Sequence, residues 1–438
     1  MRRGIKWVAL ACAFASAGAA AGANPPPANF TIDWNNTHQT MEGFGASDAF
    51  LDTALTDAQA DLYFSTTNGI GLSFLRMGIA NGGGLNGGAW SDATKAGARG
   101  AKVWAAPWTA PGAWKDNNST INGGHLCAAP AQGTCTATHY DDWASRLAGF
   151  AASLKQNSGI DLYGISVQNE PDYTAATYDS MLVSDSEFVN FVNVLGPKLA
   201  ALSPRPKLIV GDYSNWAGVW SLAANIEANP TALARVDDYA AHQYWGVQNY
   251  QTRPRPLWQT EMSSFDAFDP SLANAVTVAK WIHAGITDGN VTAWHYWWLY
   301  NPYNEDNEGL IGHQADRAAT TKRVYALGNY SKFVRPGWTR IDVGGGSSAN
   351  LFASAYRNAA TGDFAIVVVN DSGNPLPFSA SLVGIKVASI TPWTTSAAFN
   401  LQAQSPIAVA SDQLAATVVY GVTTFVGRND RIFAAGFE

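Results

Sequence analysis

The sequence predicts an α/β protein: a (β/α)8 TIM barrel with an associated all-β sandwich side domain. Three observations predict it. Short apolar strands alternate with helical stretches across residues 41–334. Two of those strands close on a glutamate, at Gln168-Asn169-Glu170-Pro171 and at Gln259-Thr260-Glu261. From Arg335 the pattern changes to β-rich segments (Asn350 to Tyr356, Asp363 to Val369, Ala388 to Trp393, Val418 to Val426) divided by turn signals such as Asp371-Ser372-Gly373.

Taken in order, residues 1–23 have the layout of a secretory signal peptide. Arg2, Arg3 and Lys6 precede the apolar run Trp7 to Ala17, and Ala21-Gly22-Ala23 offers a small-residue cleavage site. That run is too short and too rich in alanine for a transmembrane anchor, and no later stretch is apolar enough to span a bilayer. The expected location is therefore extracellular or periplasmic, with no membrane attachment after cleavage and a monomer as the default state. Cleavage removes Cys12 and leaves Cys127 and Cys135, which are expected to pair and staple a Gly/Ala/Pro-rich loop in an oxidising compartment. The seven histidines show no metal-ligand spacing, so no metal and no cofactor are called for.

The segment 24–40 contains one strand candidate at Thr31-Ile32-Asp33-Trp34, and the barrel begins at Met41. Its first strand lies in Met41 to Phe50, followed by a helix from about Thr56 to Ser65. The second, Leu72 to Ile79, carries one charge, Arg76; a buried Arg needs a carboxylate partner, either a reacting glutamate or a structural acid. Gly82 to Gly87 matches G-x-G-x-x-G, but Gly88-Ala89-Trp90-Ser91-Asp92 does not continue as an amphipathic helix and no acid closes the next strand. A flexible loop is expected, without dinucleotide binding.

The third strand and its loop, Ala101 to Trp114, present Trp108 and Trp114 where a barrel displays ligand-facing groups; core packing is the alternative for Trp108. Trp143, Leu147, Phe150 and Leu154 recur at helical spacing within Tyr140 to Leu154. The fourth strand ends at Glu170, because Pro171 lacks an N–H and restricts its neighbour. Ser184-Asp185-Ser186-Glu187 reads as a capping box. Lys207 to Asp212, the middle of Val236 to Gly246, Pro256 to Glu261 and Val291 to Trp298 complete the eight strands. Helices are expected over Ser271 to Ala284 and Ala318 to Phe333. The side domain occupies 335–428, and a tail of no readable structure follows over 429–438.

Composition narrows the chemistry. Charged residues are only 14% of the chain, against roughly 25% in ordinary soluble proteins. A net charge of -7 and the lack of any Lys/Arg run exclude a nucleic-acid groove. The 17 Trp and 16 Tyr suit a cleft that stacks sugar rings. A barrel places its active site at the carboxyl ends of its strands, where Glu170 and Glu261 fall. Glycoside hydrolysis needs two carboxyls there, one to protonate the leaving oxygen and one facing the oxocarbenium-like centre. Proximity pushes the pKa values of two such facing groups apart, so that one stays protonated near neutral pH. The plain alternative is a solvated strand-end charge.

The set Met41-Glu42-Gly43-Phe44-Gly45, Leu75-Arg76, Ala106-Pro107-Trp108, Ser166 to Tyr173, Thr260-Glu261 and Ser331 to Gly337 resembles glycoside hydrolase family 30, and within it the bacterial xylanases, from about Phe30 to Val426. The resemblance implies a retaining endo-β-1,4-xylanase with Glu170 as acid/base and Glu261 as nucleophile. It implies that Asn169 bonds the hydroxyl next to the reacting carbon, that Tyr244 lies near the nucleophile, and that Trp108 and Trp297 wall the cleaved sugar. It also implies that N-terminal strands join the β domain. One departure stands out. Relatives that require a glucuronic-acid branch carry arginine in the loop after the eighth strand, whereas Leu299 to Asp306 has none and holds two acids, Glu305 and Asp306. The loop Met262-Ser263-Ser264-Phe265 also lacks those relatives' tyrosines. The expected substrate is a polysaccharide, xylan, cleaved without need of the acid branch. The rivals are a β-1,6-glucanase or β-1,6-galactanase of the same family, a glucuronic-acid-dependent xylanase, and a non-catalytic glycan-binding barrel.

Overall fold

The computed structural model describes residues 28–302, 306–312, 321–346 and 348–430. The expected signal peptide with Cys12, the lead-in to residue 27, Tyr303 to Glu305, the first turn of the helix expected from Ala318 and the tail beyond 430 lie outside the described residues.

Eight parallel strands form the barrel: Gly43–Ser47, Phe74–Ile79, Lys102–Pro107, Leu162–Ser166, Lys207–Tyr213, Asp238–His242, Leu257–Glu261 and Ala293–Tyr300. Each pairs with its successor, and the eighth pairs with both the first and the seventh, which closes the ring. Almost every strand residue is buried, as expected where helices cover the outside and side chains fill the inside. A short extra strand, Gly309–Ile311, lies beside the eighth.

The helices start where the local chemistry says they should. Thr56 and Gln59 satisfy each other's orphan N–H groups at the head of Asp57–Phe64, and Ser184 and Glu187 do the same for Asp185–Ala200. Tyr140–Ser158 buries Trp143, Leu147, Phe150 and Leu154 and stops at Gly159, whose φ of +75° suits a C-terminal cap. One expectation fails. Trp90–Ala98 is a helix directly after the glycine run, not the continuation of a flexible loop. Its buried residues are Asp92, Ala93 and Ala96, and Trp90 at its start packs on Phe150 with ring centroids 5.6 Å apart, so the period is marked by one terminal Trp and two small residues. The helices Ala217–Glu227 and Pro230–Leu233 fill the connection from the fifth strand to the sixth.

The side domain is one ten-stranded sheet rather than two separate ones. The strand Ala28–Thr40 lies inside it, antiparallel to Thr339–Gly345 and parallel to Leu376–Val383. The sheet curls over itself: Phe378 near one end stacks on Phe425 near the other, with ring centroids 5.4 Å apart. Both belong to a core that includes Ile32, Ile366, Ile390 and Leu414, so the curled sheet has the two-layered interior of a sandwich. Its opposite face (Tyr356, Val367, Val369, Val422) joins the barrel's own hydrophobic core. Asn329, buried on the helix Lys322–Ser331, donates to the Trp393 carbonyl and to Thr424 Oγ1, both at 2.9 Å. Barrel and side domain thus share a continuous apolar seam fixed by buried hydrogen bonds.

Cys127 and Cys135 form a disulfide, with Cα atoms 5.7 Å apart, in the long loop after the third strand. No described helix is long and apolar enough to cross a membrane.

Candidate active site

The Gln-Asn-Glu-Pro segment divides its work residue by residue. Gln168 is fully buried and its Nε2 donates to the Trp108 carbonyl at 2.6 Å, tying the fourth-strand end to the third-strand loop. Asn169 accepts from the Arg76 guanidinium through Oδ1, which leaves Nδ2 as its donor toward the cleft. Glu170 has φ +45° and Asp212, at the end of the fifth strand, has φ +58°. Both are left-handed, a conformation costing a non-glycine residue roughly 1–2 kcal/mol. Glu170 N–H donates to the Asp212 carbonyl at 2.9 Å, so the two strained residues hold each other. Asp172 then accepts from the N–H groups of Ser214 and Asn215, closing the loop against its neighbour.

Arg76 is the hub beneath the mouth of the barrel. Its side chain is buried, and it pairs with Glu261 Oε2 and, at 3.2 Å, with Asp212. Three indoles surround the guanidinium, Trp104, Trp108 and Trp297, at 5.1–5.6 Å from ring centroids. Both alternatives for its partner are therefore realised at once, a glutamate of the cleft and a structural acid. Arg76 does not line the cleft, so the expectation of direct sugar contact gives way to a supporting position. Beneath it, His295 Nδ1 faces the Gln259 carbonyl at 3.0 Å and Nε2 receives the Trp104 N–H at 3.1 Å. Burial pushes this ring's pKa down to about 3, so it is a neutral packing element.

Glu261 accepts on both oxygens: from Arg76 on Oε2 and from the Tyr244 hydroxyl on Oε1 at 3.0 Å. Burial pushes its carboxyl up, while the charges of His242 and Arg76 pull the other way. His242 is fully buried among three acids. Its Nδ1 lies 3.1 Å from Glu170 Oε1, and its Nε2 lies 3.3 Å from Asp212 and 3.8 Å from Glu261. Burial alone would depress its pKa; the Glu261 and Asp212 charges and the contact with Glu170 outweigh it and raise the pKa to about 10. Burial also opposes ionisation of Asp212, but Arg76 and His242 hold its carboxyl far below the ordinary range. One oxygen each of Glu170 and Glu261 and one nitrogen of His242 lie within 4.8 Å of one another. His242 lies at ion-pair distance from both glutamates, so the trio is a compact charge cluster.

Above the cluster opens a cleft of about 910 Å³. One wall is Phe50, Trp108, Trp297 and Trp298; Trp108 meets Phe50 edge-on at 4.9 Å and lies 5.9 Å from Trp297. Tyr173, Tyr178, Tyr244, Trp245 and Phe265 line the other side. Among the described lining residues the charged ones are Glu170, Glu261, Asp266 and Glu308, all acidic. Burial and neighbouring Asp306 raise the Glu308 carboxyl to about 8.

The structure thus brings Glu170, Glu261, Asn169, Trp108, Tyr244 and Trp297 together and places Arg76 under them. Trp114 does not join them. Its ring stacks on His139 at 5.2 Å and carries the Arg146 guanidinium at 4.2 Å, so it packs the outer loop, where the cation and the imidazole hold it. Sequence reasoning missed Asp212, His242 and Glu308. The first two end the fifth and sixth strands, so the rule that picked out the glutamates also reaches them.

Two carboxyls facing each other over the ends of the fourth and seventh barrel strands, inside an aromatic cleft, define a glycoside hydrolase framework. Residues 90–254 match the glycosyl hydrolase family 30 TIM-barrel domain. The chain is 29% identical over 421 residues to a glucuronoxylanase, XynC, of Bacillus subtilis (strain 168), covering 90% of this chain and 91% of that one. A family 30 subfamily 8 xylanase from Clostridium acetobutylicum superposes with a TM-score of 0.77 at 28% identity, covering 91% of this chain and 99% of that one. The catalytic domain of xylanase C from Talaromyces cellulolyticus shares the fold with a TM-score of 0.79 at 23% identity, over 92% and 100% of the two chains. Residues 90–254 thus carry the glycosyl hydrolase family 30 domain, in a barrel whose site has the paired carboxyls of a glycosidase.

Proposed function

We propose that the protein is a secreted, monomeric, retaining endo-β-1,4-xylanase that does not depend on glucuronic-acid branches. The observation that carries the mechanism is the spacing of the two carboxyls. One oxygen of Glu170 lies within 4.8 Å of one oxygen of Glu261. That suits the roughly 5–5.5 Å of retaining enzymes and leaves no room for the water that inverting enzymes hold between groups about 6.5–9.5 Å apart. Glu261, gripped on both oxygens, attacks C1 of the sugar while Glu170 gives its proton to the leaving oxygen. Glu170 then takes a proton from water, whose oxygen bonds to C1 and releases Glu261. Asn169 Nδ2 donates to the hydroxyl beside C1, and Trp108 and Trp297 enclose the ring.

The similarity to xylanases supports xylan as substrate. Independence from the acid branch rests on charge: the described lining of the cleft has four acids and no Arg or Lys to meet a uronate. Among the described acids of that loop Glu308 lines the cleft, while Asp306 accepts from Asn301 Nδ2 at 2.6 Å. The test is chromatography of products from linear xylo-oligosaccharides, glucuronoxylan and β-1,6-glucan. The proposal expects linear oligomers to be cut at rates comparable to the branched polymer. Products from glucuronoxylan alone, with a branch at a fixed position, would overturn branch independence. Products from β-1,6-glucan alone would overturn the xylan assignment and leave Glu170 and Glu261 in place.

A further inference from the structure

The line joining Glu170 and Glu261 divides the barrel mouth into two unlike halves. Loops after the eighth, first, second and third strands make one half. Two of its described aromatic groups are closed in: Trp108 is 3% exposed and Trp297 7%. Loops after the fourth to seventh strands make the other. Here Trp245 is 70% exposed, Phe265 68%, Tyr173 47% and Tyr178 40%, and all four line the cleft. Among the described residues, the large apolar side chains left open to solvent are concentrated on this one side of the reacting pair. Large aromatic faces are costly to leave in water and are kept exposed where a ligand covers them.

The side tells which ligand. Glu170 gives its proton to the leaving oxygen, so the departing chain lies on the flank of Glu170. Tyr178 reaches Glu170 Oε2 with its hydroxyl at 3.4 Å and marks that flank. Phe265 stacks on Tyr244 with centroids 5.6 Å apart, and Tyr244 holds Glu261, so the aromatic surface runs without a break from the reacting carboxylate outward. The open half offers flat aromatic faces to a chain.

We infer that Trp245 and Phe265, with Tyr173 and Tyr178, form a stacking platform for the leaving-group side of a neutral β-linked polysaccharide. It would hold at least two sugar rings beyond the cleaved bond. The inference rests on the retaining assignment of Glu170 and Glu261 but not on the identity of the sugar. It makes two commitments. Binding energy from remote rings is spent in the transition state, so substrates lacking those rings lose kcat and not only KM. The same rings, offered as an acceptor, compete with water: the C1–Glu261 ester breaks, C1 bonds to the acceptor oxygen, and the acceptor's proton passes to Glu170.

The experiment compares wild type with Trp245→Ala and Phe265→Ala on two substrates, a linear xylo-oligosaccharide and 4-nitrophenyl xylobioside, whose leaving group reaches only the first position. The expected result is a kcat/KM loss about tenfold larger on the oligosaccharide than on the aryl glycoside, with Trp245→Tyr restoring most of it. Added xylobiose should also divert less product to transfer in the alanine variants. Equal losses on both substrates, or no loss on either, overturn the platform. Both side chains are mostly exposed, so misfolding is not built into the test, and circular dichroism checks it. If wild type cuts no xylo-oligosaccharide, the substrate assignment fails, and the same ratio on β-1,6-gluco-oligosaccharides and their aryl glycoside tests the platform separately.

Discussion

Two charge clusters sit at opposite ends of the same barrel, and they differ in what they face. At the amino end of the strands, Glu42 accepts from Lys207, from Trp258 Nε1 at 3.0 Å and from Thr292 Oγ1 at 3.1 Å, and Tyr163 OH lies 3.3 Å away. Lys207 also pairs with the fully buried Asp238 at 3.0 Å. Both oxygens of Glu42 are occupied, and the ammonium of Lys207 is shared between two acids. At the carboxyl end, Arg76 and His242 likewise hold Glu261 and Asp212, but Glu261 and Glu170 face a cleft of about 910 Å³. Similar parts give a fastened plug in one place and a reacting pair in the other. What separates them is not an opening, since Glu42 borders a cavity of about 460 Å³, but what faces it: a single, fully occupied carboxylate at the amino end, two carboxyls and an aromatic lining at the carboxyl end. This agrees with the general division of barrels into a stabilising bottom and a working top.

The largest effect that could break the comparison is at Glu261. Glu261→Gln keeps the shape and removes the nucleophile, so kcat should fall on the order of 10³-fold or more with little change in melting temperature. Retained activity would make the carboxyl end as inert as the amino end. Next is Glu170→Gln, which should lose about 10²–10⁴-fold on polysaccharide. The loss should be far smaller on an aryl glycoside whose leaving group needs no proton; equal losses would deny Glu170 its acid role.

Glu42→Gln should do the reverse. It weakens a buried network by about 1–3 kcal/mol in urea unfolding and leaves kcat/KM unchanged. A loss of activity without a loss of stability would erase the distinction between the two ends. The smallest expected effect is a pH trend. The pKa of His242 is raised in the fold from 6.5 to about 10 by the surrounding carboxylates. A raised pKa contributes stability that is full below pH 6.5 and is lost as pH climbs through 10. The unfolding free energy of wild type, measured against His242→Gln, should therefore narrow across that window. A gap that is constant or widens with pH would show that His242 is not held protonated.

The same contrast explains how much was legible in the sequence. Strand ends announce themselves: an apolar run that stops at Gln168-Asn169-Glu170-Pro171 has few other readings, and Glu261 follows by the same logic. Asp212 and His242 also end apolar runs, yet neither stands beside a proline or a motif, and their roles depend on what lies across the barrel. Arg76 was recognisable as a buried cation in need of an acid, but that it meets Glu261 and Asp212 together is a matter of closure, which sequence does not display. Trp114 stood in the right loop, and only the third dimension reveals His139 and Arg146 against its ring. The helix Trp90–Ala98 was hidden because, past Trp90 at its start, only the alanines Ala93 and Ala96 mark the apolar period. The sandwich was readable as many short strands, but the entry of Ala28–Thr40 into its middle joins residues some three hundred positions apart.

The most direct test of the reacting pair at the carboxyl end is to trap the intermediate. Wild-type protein incubated with an activated 2-deoxy-2-fluoro xylobioside should gain the mass of one fluorinated xylobiosyl group, and peptide mapping should place it on Glu261. A label on any other residue would contradict the account, as would turnover that inverts the anomeric centre without a covalent species.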